Sequence, residues 1–86
     1  MVIINNSPGP KFAAVFKAVP MNPGNRVAGK EVPKDQSVSI TVDAGVPYYW
    51  VSMTDESMEH RLTALTGGVH TNSTVTLTDE YRIVVT

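Results

Sequence analysis

The residues best suited to chemistry in this chain are the aromatic run Tyr48-Tyr49-Trp50. It holds the single tryptophan and two of the three tyrosines, inside the densest apolar stretch, Val46 to Met53. Sugar-binding proteins use such groups because the apolar face of a sugar ring stacks on an aromatic plane. Tyrosine hydroxyls and the indole N–H can also hydrogen-bond at the rim. Tyr48 and Trp50 share one face of a strand and Tyr49 takes the other. Trp50 is expected to anchor the core, which leaves the ligand-facing role to a tyrosine. Near this run stand Asp55, Glu56, His70 and Asn72, planar polar groups of the kind that hold sugar hydroxyls. The candidate ligand-binding set is therefore Tyr48, Tyr49, Trp50, Asp55, Glu56, His70 and Asn72.

Other chemistries are poorly supported. Glu56, Glu59, His60 and His70 contain metal-ligand types, but their spacing matches neither H-E-x-x-H nor the EF-hand loop, so no metal site is assigned. There is no G-x-S-x-G elbow and no phosphate loop, because Gly67-Gly68 lacks the lysine of the P-loop pattern. With no cysteine, thiol catalysis, disulfides and thiolate zinc sites are all excluded. No catalytic residues and no cofactor are expected. Thr74, Thr76 and Thr78 alternate as a row of hydroxyls, which on a strand reads as a solvated face. Asn5-Asn6-Ser7 and Asn72-Ser73-Thr74 fit the glycosylation acceptor pattern.

These residues need a scaffold, and 86 residues allow one domain, 1–86, with a thin core. Formal net charge is -1, which argues against a nucleic-acid partner held by a strong positive field. Charge is uneven: Lys11, Lys17, Arg26, Lys30 and Lys34 face only Glu31 within residues 11–34, whereas the remainder is acidic. No run of about 20 apolar residues exists, so no membrane-spanning helix is expected. Met1-Val2-Ile3-Ile4 is too short for a signal peptide and lacks a basic start. If Met1 is the native start, the expected location is cytoplasmic.

Most segments read as strands. Val2–Ile4 is a short one, stopped by Pro8 and Pro10. Phe12–Val19 is apolar on both faces, as expected of a strand covered on both sides or lying at a subunit contact. Pro20–Pro33 is dense in proline and glycine and reads as a long irregular, mobile loop. Ser37–Val42 alternates cleanly, with Val38, Ile40 and Val42 on one face. The short Asp43-Ala44-Gly45 turn should pair it antiparallel with the aromatic strand. Residues 55–66 fit either a helix, with Met58, Leu62 and Leu65 on one face, or the return strand of a hairpin, and the strand-rich context favours the hairpin. Gly67 to Asn72 reads as a turn. Ser73–Thr86 alternates again, with Asp79 out of place unless a turn falls at Thr78–Glu80. Val84 on the opposite face suggests a covered terminal strand.

The expected fold is all-β, a small antiparallel β-sandwich or open barrel of about six or seven strands. The alternative is α+β with one helix near 55–66. The expected function is non-enzymatic: a small lectin-like carbohydrate-binding module with a glycan ligand, acting as a homo-oligomer. The alternatives are an assembly subunit that self-associates through apolar strand faces, or an inhibitor presenting the 20–33 loop to an enzyme.

Overall fold

The computed structural model describes residues 1–20, 22–55, 64–79 and 82–86. Two four-stranded sheets pack face to face and do not close into a barrel. The described strands are β1 (Val2–Asn5), β2 (Lys11–Phe16), β3 (Arg26–Val32), β4 (Ser37–Ser39), β5 (Tyr49–Asp55), β6 (Ala64–Val69), β7 (Thr74–Leu77) and β8 (Ile83–Val85). The all-β sandwich expected from the sequence is what forms, with eight strands among the described residues. One sheet has the order β4-β1-β7-β8 and the other β3-β2-β5-β6. Pairing is antiparallel except between β1 and β7, which run parallel.

Alternation decides which side chains meet between the sheets. Ile3 on β1 and Val75 and Leu77 on β7 point inward from the first sheet. Ala13 and Val15 on β2, Val32 on β3, Tyr49, Val51 and Met53 on β5 and Val69 on β6 point inward from the second. Burial of each aliphatic side chain contributes roughly 2 kcal/mol. The first sheet's outer face is mixed: Thr76 lies between Ile4 of β1 and Val84 of β8, so the threonine row is broken up by aliphatic neighbours.

Several local expectations are corrected. The stretch expected to be an irregular 20–33 loop contains β3, hydrogen-bonded along β2 as a sheet edge. Gly29 does not break it, because the Arg26 guanidinium and the Phe12 ring fill the space above that glycine. Arg26, Lys30 and Glu31 make it a charged, self-protecting edge. Irregular chain is left before it, ending in a 3-10 turn at Pro23–Asn25.

Ser37–Val42 does not pair with the aromatic strand. Only Ser37–Ser39 is regular, and it pairs with β1. Val38, Ile40 and Val42 do keep the core-facing phase. The chain then crosses to the other sheet, where β5 takes β2 and β6 as partners. Pro47 has no N–H to continue a ladder, and the 43–46 turn redirects the chain.

In the 55–66 region, β5 and β6 form the antiparallel pair of the hairpin reading, though β6 begins at Ala64. Residues 56–63, with Glu56, Glu59, His60, Met58 and Leu62, lie outside the described residues. Gly67 and Gly68 belong to β6 rather than to a turn. The register shifts between Tyr49 and Val51, and Gly68 has φ +69, the signature of a glycine bulge. The expected turn near Asp79 is present: Arg82 N–H donates to Asp79 Oδ1 at 2.9 Å and Asp79 is exposed. β8 is a sheet edge, and Val84 is 42% exposed, so the terminal strand is not covered.

Two polar devices support this packing. Asn5 sits fully buried at the inner end of β1 and donates through Nδ2 to the carbonyls of Gly9 and Val32, the latter on the opposite sheet. Its Oδ1 accepts from the Ser7 N–H and hydroxyl. Both prolines of the 5–10 segment are thus held around a satisfied polar centre. The same burial removes Asn5 from consideration as a glycosylation acceptor. Within the second sheet, Lys11 Nζ lies 2.7 Å from Asp55 Oδ1 and ties β2 to β5.

Candidate functional site

Two turns at one end of the sandwich form an open cleft of about 400 Å³. One wall is Ala44, Val46, Pro47 and Tyr48; the other is His70, Thr71 and Asn72. The first wall is built by the 43–46 turn. Gly45 N–H donates to Asp43 Oδ1 at 2.8 Å, and Val46 N–H to the Asp43 carbonyl at 3.3 Å. The Tyr49 hydroxyl donates to the same carbonyl at 2.6 Å, which pins the turn to the core. The second wall is the turn that follows β6. Ser73 N–H donates to the His70 carbonyl, and Ser73 Oγ accepts from His70 N–H, each at 3.0 Å. The chain's terminal ammonium donates to the Thr71 carbonyl. Both walls are therefore held by backbone groups and by the Asp43, Tyr49 and Ser73 side chains, none of which lines the cleft.

Tyr48 is 51% exposed and its ring centroid lies 4.9 Å from that of His70, the planes tilted by 53°. Asn72 is exposed beside them. Among the described lining residues there is no lysine, arginine, aspartate or glutamate. The cleft offers an aromatic face, the small apolar surface of Ala44, Val46 and Pro47, and the hydrogen-bonding groups of His70, Thr71 and Asn72. Such a set suits a neutral, hydroxyl-rich ligand with one apolar face.

Of the residues singled out from sequence, Tyr48, His70 and Asn72 are brought together. The others are not. Tyr49 is 1% exposed and its hydroxyl is engaged with Asp43, so it cannot present a stacking surface. It takes the core-anchor role expected of Trp50. Burial, followed by the neighbouring Asp43 charge, raises the Tyr49 hydroxyl above its ordinary pKa. Trp50 lies on the outer face of the second sheet, paired with Phe16 and only partly buried. The reason is phase: Val51 and Tyr49 point inward, so Trp50 between them must point out. Asp55 is at the far end of β5, about 23 Å from Tyr48 at ~3.3 Å per residue, and is ion-paired to Lys11. Glu56 lies outside the described residues.

Sequence reasoning misses Val46, Pro47 and Thr71, whose turns make the walls. It also misses Arg26, whose guanidinium carbon lies 4.9 Å from the Phe12 ring centroid on the same outer face as Trp50. No group of three or more His, Asp or Glu among the described residues could hold a metal ion. No helix among them is long and apolar enough to cross a membrane.

Comparison of the chain with protein-family models, with curated proteins and with solved structures finds no match.

Proposed function

We propose that this chain is a non-enzymatic carbohydrate-binding module of lectin-like character. The observation that carries the reading is the exposed Tyr48 ring set against His70, with Asn72 beside them, in a cleft whose described lining residues include no Lys, Arg, Asp or Glu. A sugar ring stacks its apolar face on Tyr48, and its equatorial hydroxyls exchange hydrogen bonds with the Asn72 amide, the Thr71 hydroxyl and the His70 ring. One such site is weak, because only part of a small ligand is desolvated. Useful affinity then comes from repeating it in a homo-oligomer.

A glycan array followed by calorimetric titration tests this. Binding of a neutral glycan, abolished by Tyr48→Ala and weakened by Asn72→Ala, is the expected result. An array without a responding neutral glycan, or Tyr48→Ala binding as well as the wild type, overturns it.

A second reading, an assembly subunit, draws on the outer face of the β3-β2-β5-β6 sheet. Phe12 and Trp50 are partly exposed there and Leu65 is 57% exposed. Sedimentation at high micromolar concentration separates the two readings: association lost in Leu65→Glu, with no glycan response, favours assembly. The inhibitor reading draws less support, because half of the stretch that would be presented is the edge strand β3.

A further inference from the structure

The outer face of β5 and β6 begins next to the cleft, since Tyr48 immediately precedes β5 and His70 immediately follows β6. Tyr48 stands beside His70 at the cleft. Two residues further along the chain, on the same face by strand alternation, Trp50 stands beside Gly67. Next along, Ser52 is registered with Leu65, whose side chain is exposed. Tyr48 immediately precedes β5, so its Cα and that of Trp50 are at most about 7 Å apart, twice the strand rise, which is on the scale of one pyranose unit with its linkage.

The placement of the indole depends on Gly67. A Cβ there would come within 2.9 Å of both Cδ1 and Nε1 of Trp50, so the ring lies across the glycine instead of standing off the sheet. The bulge at Gly67-Gly68 sits opposite Trp50 in the register. Bulges of this kind re-aim side chains next to binding sites. No lysine, arginine, aspartate or glutamate lies in these rows, from Tyr48 to Ser52 and from Leu65 to His70.

We infer that Trp50 forms a second stacking subsite beside Tyr48, so that the ligand is a linear neutral oligosaccharide of two or more units and not a single sugar. This rests on the carbohydrate-binding reading given above. The Tyr48 cleft takes one unit and the indole takes the next, with Leu65 extending the apolar track. A charged glycan finds no counter-ion in these rows.

The test is affinity against chain length. The probes are glucose, galactose, mannose and N-acetylglucosamine, each as the free sugar and as its linear di-, tri- and tetrasaccharide, titrated into the full chain. For the series that binds, affinity should rise by roughly tenfold from the single sugar to the di- or trisaccharide, the scale of one aromatic stack. Trp50→Ala should remove that gain while leaving the affinity for the single sugar within about twofold, because an independent subsite adds its own increment. Gly67→Val keeps the tryptophan but displaces it, and should remove the gain as well; it serves if Trp50→Ala does not fold. Tyr48→Ala should abolish binding of the single sugar and weaken binding at every greater length. Equal affinity for single sugar and oligomer in the wild type, or a length dependence retained in both Trp50→Ala and Gly67→Val, overturns the two-subsite inference while leaving the single-sugar site standing. If no sugar of any length binds, the reading beneath it fails and the inference falls with it.

Discussion

The Trp50 indole occupies the space that a side chain at Gly67 would need: a Cβ at that position would lie only 2.9 Å from Cδ1 and Nε1 of the ring. The contact is between a rigid ring and a backbone that the glycine bulge has bent. Gly67→Val must therefore push the indole outward. Because the chain has one tryptophan, its fluorescence reports this site alone. The emission maximum should move to longer wavelength and quenching by acrylamide should increase. The melting temperature should change little, since valine favours a strand as much as the displaced contact disfavours it. An unchanged spectrum would contradict the placement of the ring.

Neighbouring aromatic residues on β5 should differ in what they contribute to stability. Tyr49→Ala removes a fully buried ring and should cost about 3–5 kcal/mol, enough to unfold a domain with a thin core. Trp50→Ala removes a ring that is only partly buried on the outer face and should cost about 1–2 kcal/mol. Urea denaturation of both variants decides the matter, and equal losses would show that Trp50 bears on the core after all.

Stability should fall in base through Tyr49. Its hydroxyl is held above the ordinary value of 10.0, by burial first and by the Asp43 charge second. Above that value the unfolded chain loses the Tyr49 proton while the folded chain keeps it. The unfolded state then binds fewer protons, and stability declines as pH rises. The contribution is complete below the unfolded value and is lost as pH climbs toward the raised folded value. Urea midpoints compared on the two sides of about pH 10 should show the decline, and Tyr49→Phe should make it shallower. An identical pH profile in Tyr49→Phe would count against this origin.

Asn5→Ala should be costly for a small polar side chain. It strands the Val32 carbonyl and the Ser7 N–H in a buried site, while the Ser7 hydroxyl and the Gly9 carbonyl keep their bond to each other. Leaving such groups unpaired costs about 1–3 kcal/mol each when water cannot reach them, and partial relaxation keeps the sum near the upper part of that range. Asn5→Asp, which keeps the acceptor but loses both amide hydrogens, should be destabilised as well. A melting temperature within error of the wild type in Asn5→Ala would remove Asn5 as a link between the sheets.

The sequence by itself determined the class of fold and the phase of most strands. Val38, Ile40 and Val42 alternate, and all three pack at the core as that alternation requires. Val75, Leu77, Ile83 and Val85 do the same across the last hairpin. These are local facts, because a strand exposes alternate side chains whatever its partner is. Partnership is not local. Ser37–Ser39 pairs with β1 and not with the nearby aromatic strand, and only the closing of two sheets around a common core decides that. The same holds for Arg26–Val32, where glycine alone argues for a break and the covering of Gly29 by the Arg26 and Phe12 side chains permits a strand. Sequence proximity groups Tyr48, His70 and Asn72, which the fold brings to one cleft, but it cannot separate them from Tyr49 and Asp55. Tyr49 is turned inward by the packing of its neighbours, and Asp55 is carried to the far end of an extended strand. The inward and outward assignment of Tyr49 and Trp50 is open in the sequence, since either ring could fill a core. It is settled by which phase of β5 faces Ile3, Val75 and Leu77 on the opposite sheet, a relationship that exists only in three dimensions.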